Sequence, residues 1–338
     1  SYDEAYRWWK RVADLAERIL GTACTDTAAV YTNIAEVCRA RGNYSEALEW
    51  YRKDLGISEH LQSNKHNGIA KTYNNIAAVY SNLGNYQQAL EWNRKALVIK
   101  AALPEDDISA AITYNNTGVV SYQQGDYAQA LAWYRKALAI RESALGPDHP
   151  DTASSYNNIA GAYRAEGSYS EALAWYEKAL TVCENVFGEE HLNTATVYNN
   201  IGAVYYNQGD DAQALVWYLK ALNVREKVLG TEHPETAQTY SNIGVVYNAQ
   251  GDHRRALMWY GKALAACEKT VGRAHPDTAG TLYNIAAAYE ALRDYPSAAV
   301  WYQRSWEIRE RVFGADHSFT VEARQNLVRI RFLLGGIK

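Results

Sequence analysis

An asparagine returns at a fixed step through this chain: Asn33, Asn75, Asn116, Asn158, Asn200, Asn242, Asn284 and Asn326 stand 42 residues apart, with one interval of 41. A tryptophan keeps the same step, at Trp8, Trp50, Trp92, Trp133, Trp175, Trp217, Trp259 and Trp301. Internal repeats of this length restrict the fold to a solenoid or an array. Each copy carries two segments with helical spacing. In the first, Tyr156, Ile159, Ala160 and Tyr163 fall at i, i+3, i+4 and i+7, one face of a helix. In the second, spanning Tyr169 to Phe187, one stripe collects Tyr169, Ala172, Leu173, Tyr176, Ala179 and Leu180. A solenoid packs each unit only on its neighbours, so 338 residues meet no ceiling of the kind that limits a single globule.

The punctuation between the segments repeats as well. Gly167 stands where a left-handed helix end is needed, and Gly42, Gly84, Gly125, Gly209 and Gly251 copy it. Arg293 departs, which predicts a strained or remodelled turn. A connector Gly-x-x-His-Pro-Asp-Thr-Ala, as in Gly146–Ala153, starts the next copy. Pro150 cannot sit inside a helix, and Asp151 or Thr152 is the expected N-cap. Three joints differ. Thr22–Thr27 has Cys24-Thr25 in place of His-Pro, Ser63–Ile69 keeps His66 without the proline, and Leu103–Ala110 is one residue short with Pro104 early. The last two are expected to change the local superhelical angle. The phase predicts one array over 1–338: a lone second helix at 2–20, seven helix pairs over about 26–313, and a lone first helix at about 319–334.

Charge and motifs narrow the function. The net charge is −4 without a basic tract, which argues against nucleic acid. No apolar run approaches the ~20 residues of a membrane span, and residues 1–10 lack a signal peptide's apolar core. The absence of an initiator Met suggests a segment of something longer. Cys24, Cys38, Cys183 and Cys267 form no C-x-x-C or zinc spacing, so a reducing, cytoplasmic setting is expected. His149, His191, His233, His275 and His317 occur once per connector. They lie too far apart to share a metal, which leaves packing or capping. No nucleophile elbow, P-loop, H-E-x-x-H or dinucleotide turn is present. No catalytic residue, metal or cofactor is expected.

The recurrence of Tyr156, Ile159, Ala160, Tyr163, Gly167, Tyr169, Ala172, Tyr176 and Ala179 resembles the tetratricopeptide repeat. The 42-residue unit and its connector resemble the kinesin light chain type, about one turn longer per helix than the common repeat. The resemblance implies an all-α, right-handed α-solenoid, a superhelix of antiparallel helix pairs. It also implies a concave groove lined by the first helices, and a protein-binding role.

On the first helix, 100° per residue puts Asn158 roughly opposite the core stripe, beside Ser154, Gly161 and Ala165. An asparagine amide offers both a donor and an acceptor, so it can pair with an extended peptide without reading its side chains. Helices 8–10 Å apart and ~3.3 Å per peptide residue would set one rung about every third residue. The expected binding residues are therefore Asn33, Asn75, Asn116, Asn158, Asn200, Asn242 and Asn284. The alternative is that each amide bridges neighbouring helices. Selectivity would come from variable positions on the same surface: Arg39, Lys71, Asn82, Tyr122, Arg164, Tyr206 and Asn207, with Glu36, Asn248 and Glu290. The kinesin light chain resemblance implies basic groove residues for a Trp among acidic residues, but only Arg39, Lys71 and Arg164 fit that part. The tryptophan row reads as packing against adjacent repeats.

Two other readings stay open. One is head-to-tail homo-oligomerisation through terminal helices that expose Trp8 and Trp9 at one end and Phe332, Leu333 and Leu334 at the other. The other makes the chain the sensor or scaffold arm of a larger signalling protein.

Overall fold

The computed structural model describes residues 2–61, 66–101 and 108–336. Among them, every regular element is a helix. In chain order these are α1 (Tyr2–Leu20), α2 (Thr25–Ala40), α3 (Tyr44–His60), α4 (His66–Asn82), α5 (Tyr86–Lys100), α6 (Ile108–Gln123), α7 (Tyr127–Leu145) and α8 (Pro150–Glu166). They continue with α9 (Tyr169–Phe187), α10 (Leu192–Asn207), α11 (Asp211–Leu229), α12 (Pro234–Ala249), α13 (His253–Thr270), α14 (Pro276–Ala291), α15 (Tyr295–Phe313) and α16 (Ser318–Gly336). The chain forms two compact units, Ser1–Val182 and Cys183–Lys338. In the first, α2 pairs with α3, α4 with α5 and α6 with α7, and each second helix also packs on the next first helix. In the second, α10–α11, α12–α13 and α14–α15 repeat the scheme, and α16 closes on α15. Contacts run between sequence neighbours, which makes this an all-α solenoid.

Two short signals make each helix pair. At the inner turn a glycine takes positive φ: 73° at Gly42, 83° at Gly125, 82° at Gly209. The next residue's N–H then reaches back five residues, as from Asp126 to the Ser121 carbonyl at 3.0 Å and from Asp210 to Tyr205 at 2.9 Å. The same aspartate caps the following helix. Asp126 accepts from the Gln129 N–H at 3.0 Å and Asp210 from the Gln213 N–H at 3.0 Å. One Gly-Asp step thus satisfies orphan groups of two helices. Arg293 makes the same turn at φ 61°, the one non-glycine at positive φ among the described residues. The backbone is kept and the arginine bears the left-handed strain.

The outer connector corrects the expected cap. His149, not Asp151 or Thr152, is the N-cap of α8, its Nδ1 accepting from the Asp151 N–H at 3.1 Å. His191, His233, His275 and His317 repeat the bond. Pro150 occupies the first turn, where its missing N–H costs nothing. Thr152 turns backwards and donates to the Gly146 carbonyl at 2.8 Å, as Thr194 does to Gly188, Thr236 to Gly230 and Thr278 to Gly272. Cys24 sits at the cap position of α2 without a side-chain bond, yet Thr27 still closes on Gly21 at 2.8 Å. A third tie comes from the preceding second helix. Arg225, 3 % exposed, donates to the Glu235 carbonyl at 3.0 Å and the Thr239 hydroxyl at 2.7 Å. The irregular stretches around Ser63 and Pro104 lie outside the described residues, as does the His66 side chain.

Packing repeats in register with these turns. In six copies, from Tyr31 to Tyr240, the residue two before the ladder asparagine is a tyrosine whose ring packs on the tryptophan of its own second helix. Ring centroids are 5.3 Å apart for Tyr31–Trp50, 5.7 Å for Tyr156–Trp175 and 5.6 Å for Tyr198–Trp217. A lysine one turn on stands over the same pair of rings, with Nζ 4.1 Å from the indole centre at Lys53, 4.3 Å at Lys178 and 4.5 Å at Lys220, and Lys53 and Lys220 lie 5.9 and 5.6 Å from the tyrosine ring as well. The tryptophan row is therefore packing, and cation–π contact adds to its burial. Meanwhile the tyrosine hydroxyl donates to a glutamate of the preceding second helix: Tyr31 to Glu17 at 2.7 Å, Tyr156 to Glu142 at 2.9 Å, Tyr198 to Glu184 at 2.8 Å. A second tyrosine row, Tyr51, Tyr176, Tyr260 and Tyr302, is fully buried. At Gly244 a Cβ would stand 2.6 Å from the Tyr260 ring, so that close approach is open to glycine alone without a shift.

Two expectations follow from these bonds. Arg293→Gly removes the left-handed strain and should stabilise the chain by on the order of 0.5–1 kcal/mol, read as a rise in the midpoint of urea unfolding. Burial first, and then the hydrogen bond to glutamate, push the phenols of Tyr6, Tyr31 and Tyr156 up to about 12. The unfolded chain releases these protons near pH 10. Their contribution is therefore complete below about pH 10 and is lost as pH rises through about 12. Thermal melts followed by circular dichroism from pH 8 to 12 should show the fall beginning near pH 10.

Candidate functional site: the asparagine face of the first helices

The ladder asparagines are all half-buried, so this face is less open than their helical angle suggests. The reason is the neighbouring first helix. Asn158 Nδ2 donates to Asn115 Oδ1 at 2.7 Å, Asn242 Nδ2 to Asn199 Oδ1 at 2.9 Å, and Asn326 Nδ2 to the Tyr283 hydroxyl at 2.7 Å. In each case the ladder residue reaches the residue just before its counterpart one copy earlier. Asn74 makes a related bridge, donating to the Thr113 hydroxyl at 2.9 Å. The doublets Asn74-Asn75, Asn115-Asn116, Asn157-Asn158 and Asn199-Asn200 carried the signal for this. Asn115 and Asn199, each the first of its doublet, are partners of the next copy's ladder residue, a role the single-residue period did not reveal. Each of these bonds uses one of the two N–H groups of the donating amide.

Two clefts open beside the row, one in each compact unit. In the first unit Asn33 and Lys71 line a cleft between α2, α3 and α4 of about 270 Å³. The Asp54 carboxylate also lines it, 4 % exposed and accepting from the hydroxyls of Thr32 and Thr72 at 2.8 Å each. In the second unit Asn284, Gln238 and Ser241 line a cleft of about 420 Å³ between α12 and α14, with Cys267 behind it. Cys267 stands two copies beyond Cys183 and burial pushes its thiol up to about 11. Cys24, Cys38, Cys183 and Cys267 are all unbridged. Among the described residues no group of three or more His, Cys, Asp or Glu side chains could hold a metal ion.

The variable positions are largely engaged by the fold. Arg39 pairs with Glu36 at 2.8 Å, and Glu36 accepts from the buried Tyr51 hydroxyl at 2.5 Å. Despite burial, those partners raise the Arg39 guanidinium above its ordinary value. Glu290 accepts from the Tyr302 hydroxyl at 3.0 Å and pairs with Arg329. Burial pushes the Tyr176 phenol up to about 12 while Arg164 beside it pulls the other way. The Tyr122 ring lies 5.5 Å from Tyr127 of its own second helix. Tyr206 is half-buried, and burial, then Asp211, raises its phenol. The His253 ring bonds Asn248 at 2.7 Å. Lys71 and Asn207 are exposed, and Asn82, Asn75, Asn116 and Asn200 are half-buried.

Comparison with known proteins gives the same architecture. The family model described as tetratricopeptide repeat matches residues 1–60, 68–143, 109–185, 151–227 and 193–269, and a second tetratricopeptide repeat model matches 278–318. No curated protein matches. Among solved structures the chain is similar to BtubC (BKLC) from P. vanneervenii, with 24 % identity and TM-score 0.51 over 69 % of this chain and 91 % of that one. It is similar to aspartyl phosphate phosphatase F from Bacillus subtilis, with 13 % identity and TM-score 0.60 over 89 % and 75 %. It is also similar to a signal transduction ATPase with numerous domains that has a tetratricopeptide repeat sensor, from Pyrococcus horikoshii, with 16 % identity and TM-score 0.55 over 91 % and 45 %. At these identities the likeness concerns the fold. The recurring two-helix unit, its packing in sequence order and the matching repeat models together make this chain a member of the tetratricopeptide repeat family.

Proposed function

We propose that the chain is a protein-interaction module that binds an extended segment of a partner along the asparagine face of its first helices. The observation that carries this is the pair of clefts beside the ladder, lined by Asn33 and Lys71 in one unit and by Asn284 in the other. The bridges at Asn158 and Asn242 support the reading, because an amide fixed by one bond pays less entropy to make a second. Backbone pairing by the row supplies affinity. Selectivity comes from Lys71, Asn82 and Asn207 together with the tyrosine-anchored groups Arg39, Arg164, Tyr122 and Tyr206. With few free cations on this face, a neutral segment fits better than a strongly acidic one. The sensor of the archaeal signalling ATPase is built from the same repeat, and a place as the sensor or scaffold arm of a larger protein accords with this role.

Self-association is the second reading, favoured by the terminal helices. Trp8 is 57 % exposed and Ile19 69 % on α1, and Phe332 80 % on α16. Trp9 and Leu334 do not contribute, since each packs against a buried cluster of its own end.

A peptide selected by display against the whole chain tests the first reading. Asn116, Asn158 and Asn200→Ala together should weaken it by about 10-fold or more, at roughly 0.5–1.5 kcal/mol per lost hydrogen bond. Unchanged affinity with a lower melting temperature would make the row purely structural. For the second reading, sedimentation velocity should show mass rising with concentration, and Phe332→Ser should abolish the rise. A single monomeric species at high concentration removes it.

A further inference from the structure

One junction in the first unit lacks a ring that its neighbours have. Before it, Tyr80 on α4 packs on a cluster that includes Leu48, Leu55 and Ile76, and Arg52 donates to its hydroxyl at 3.3 Å. After it, Arg135 donates to the Tyr163 hydroxyl at 2.7 Å. Counted from the ladder asparagine, the residues equivalent to Ile76, Tyr80 and Leu83 are Thr117, Ser121 and Gln124, and Arg94 is equivalent to Arg52. The walls survive the exchange. Leu90, Leu97 and Trp133 remain, and with Thr117, Ser121 and Arg94 they line an open cleft of about 410 Å³. An engineered cavity of about 150 Å³ accepts benzene, so an aromatic ring has room here.

The polar groups of the cleft also fit a phenol. The Thr117 and Ser121 hydroxyls are turned back onto their own helix, to the Thr113 and Thr117 carbonyls at 2.8 and 3.2 Å. Their protons are thereby used, and their oxygens keep lone pairs that can accept from a phenol O–H. Asp126 is occupied as the cap of α7. Arg94 is exposed, and its guanidinium makes none of the bonds that Arg52 and Arg135 make. We propose that this cleft receives a tyrosine side chain of a partner polypeptide. The ring lies against Leu90, Leu97 and Trp133, and the phenol oxygen accepts from Arg94. The chain's own Tyr80 and Tyr163 are the template for that occupant. No residue of the asparagine row takes part, so the test stands apart from the ladder.

The probe is p-cresol, the tyrosine side chain itself, with toluene as its counterpart without the hydroxyl. Each is titrated into the whole chain and followed by NMR at the Trp133 indole N–H, assigned by its loss in Trp133→Phe. Saturable shifts are expected with p-cresol. Ser121→Tyr refills the cleft, so it should abolish them and raise the melting temperature. Arg94→Met should weaken p-cresol about 2- to 12-fold, the range of one hydrogen bond, and leave toluene unchanged. If Ser121→Tyr does not fold, the exposed Arg94 substitution still decides. The proposal is overturned by no saturable shift, by a shift that survives in folded Ser121→Tyr, or by an Arg94→Met effect equal for both ligands.

Discussion

The tyrosine two residues before a ladder asparagine, as at Tyr31, Tyr156 and Tyr198, is where neighbouring repeats are tied. Its ring packs on the tryptophan of its own pair, and its hydroxyl donates to a glutamate on the second helix of the pair before. A single side chain therefore joins three helices, and the lysine one turn on from the indole reaches both rings. A two-layer solenoid has no deep core, so residues that are apolar along one edge and polar at the tip suit it. Tyrosine, present 27 times against four phenylalanines, meets that demand. Phenylalanine would stack equally well and leave the glutamate without its donor.

The same economy governs the first-helix face. A solenoid helix is flanked by the next copy as well as by its own partner, so what looks like an outer face on a helical wheel is partly an interface. The ladder asparagines answer to both sides. They bridge to the preceding copy at Asn158, Asn242 and Asn326, and each remains half-buried. The variable residues show a parallel arrangement. Arg39 with Glu36, and Glu290 with Arg329, lean on the hydroxyls of buried tyrosines. Surface charge and packing are coupled at these positions, because a changed charge on the surface also changes what a core phenol bonds to.

Departures from the repeat carry more information than the repeat itself. Arg293 keeps a glycine's turn at positive φ, which shows that the tertiary frame sets that backbone and the residue complies. Asn93 stands where other copies have a buried tyrosine, wholly buried and with neither end of its amide bonded. On the next helix, α6, Ser121 replaces another tyrosine. Both losses fall in the α4–α7 region, so the first unit is locally underfilled where the remainder of the array is built to a common plan.

Helix existence, pairing order and turn positions were legible in the sequence because they rest on local rules. Apolar spacing at 3.6, a glycine for the left-handed end and a proline for the first helical turn act within a few residues. The connector histidines were legible as packing or capping residues, but the cap of α8 was read as Asp151 or Thr152, since choosing His149 depends on which backbone N–H its ring meets. The partners of Asn158 and of the tyrosine hydroxyls were not legible either. They lie 43 and 14 residues away, and only the rotation of one packed helix against another selects them. By itself the sequence determined the repeat, its helices and their order. Tertiary structure decided which face each polar side chain shares with a neighbour, because that is set by how repeats stack and not by any local propensity.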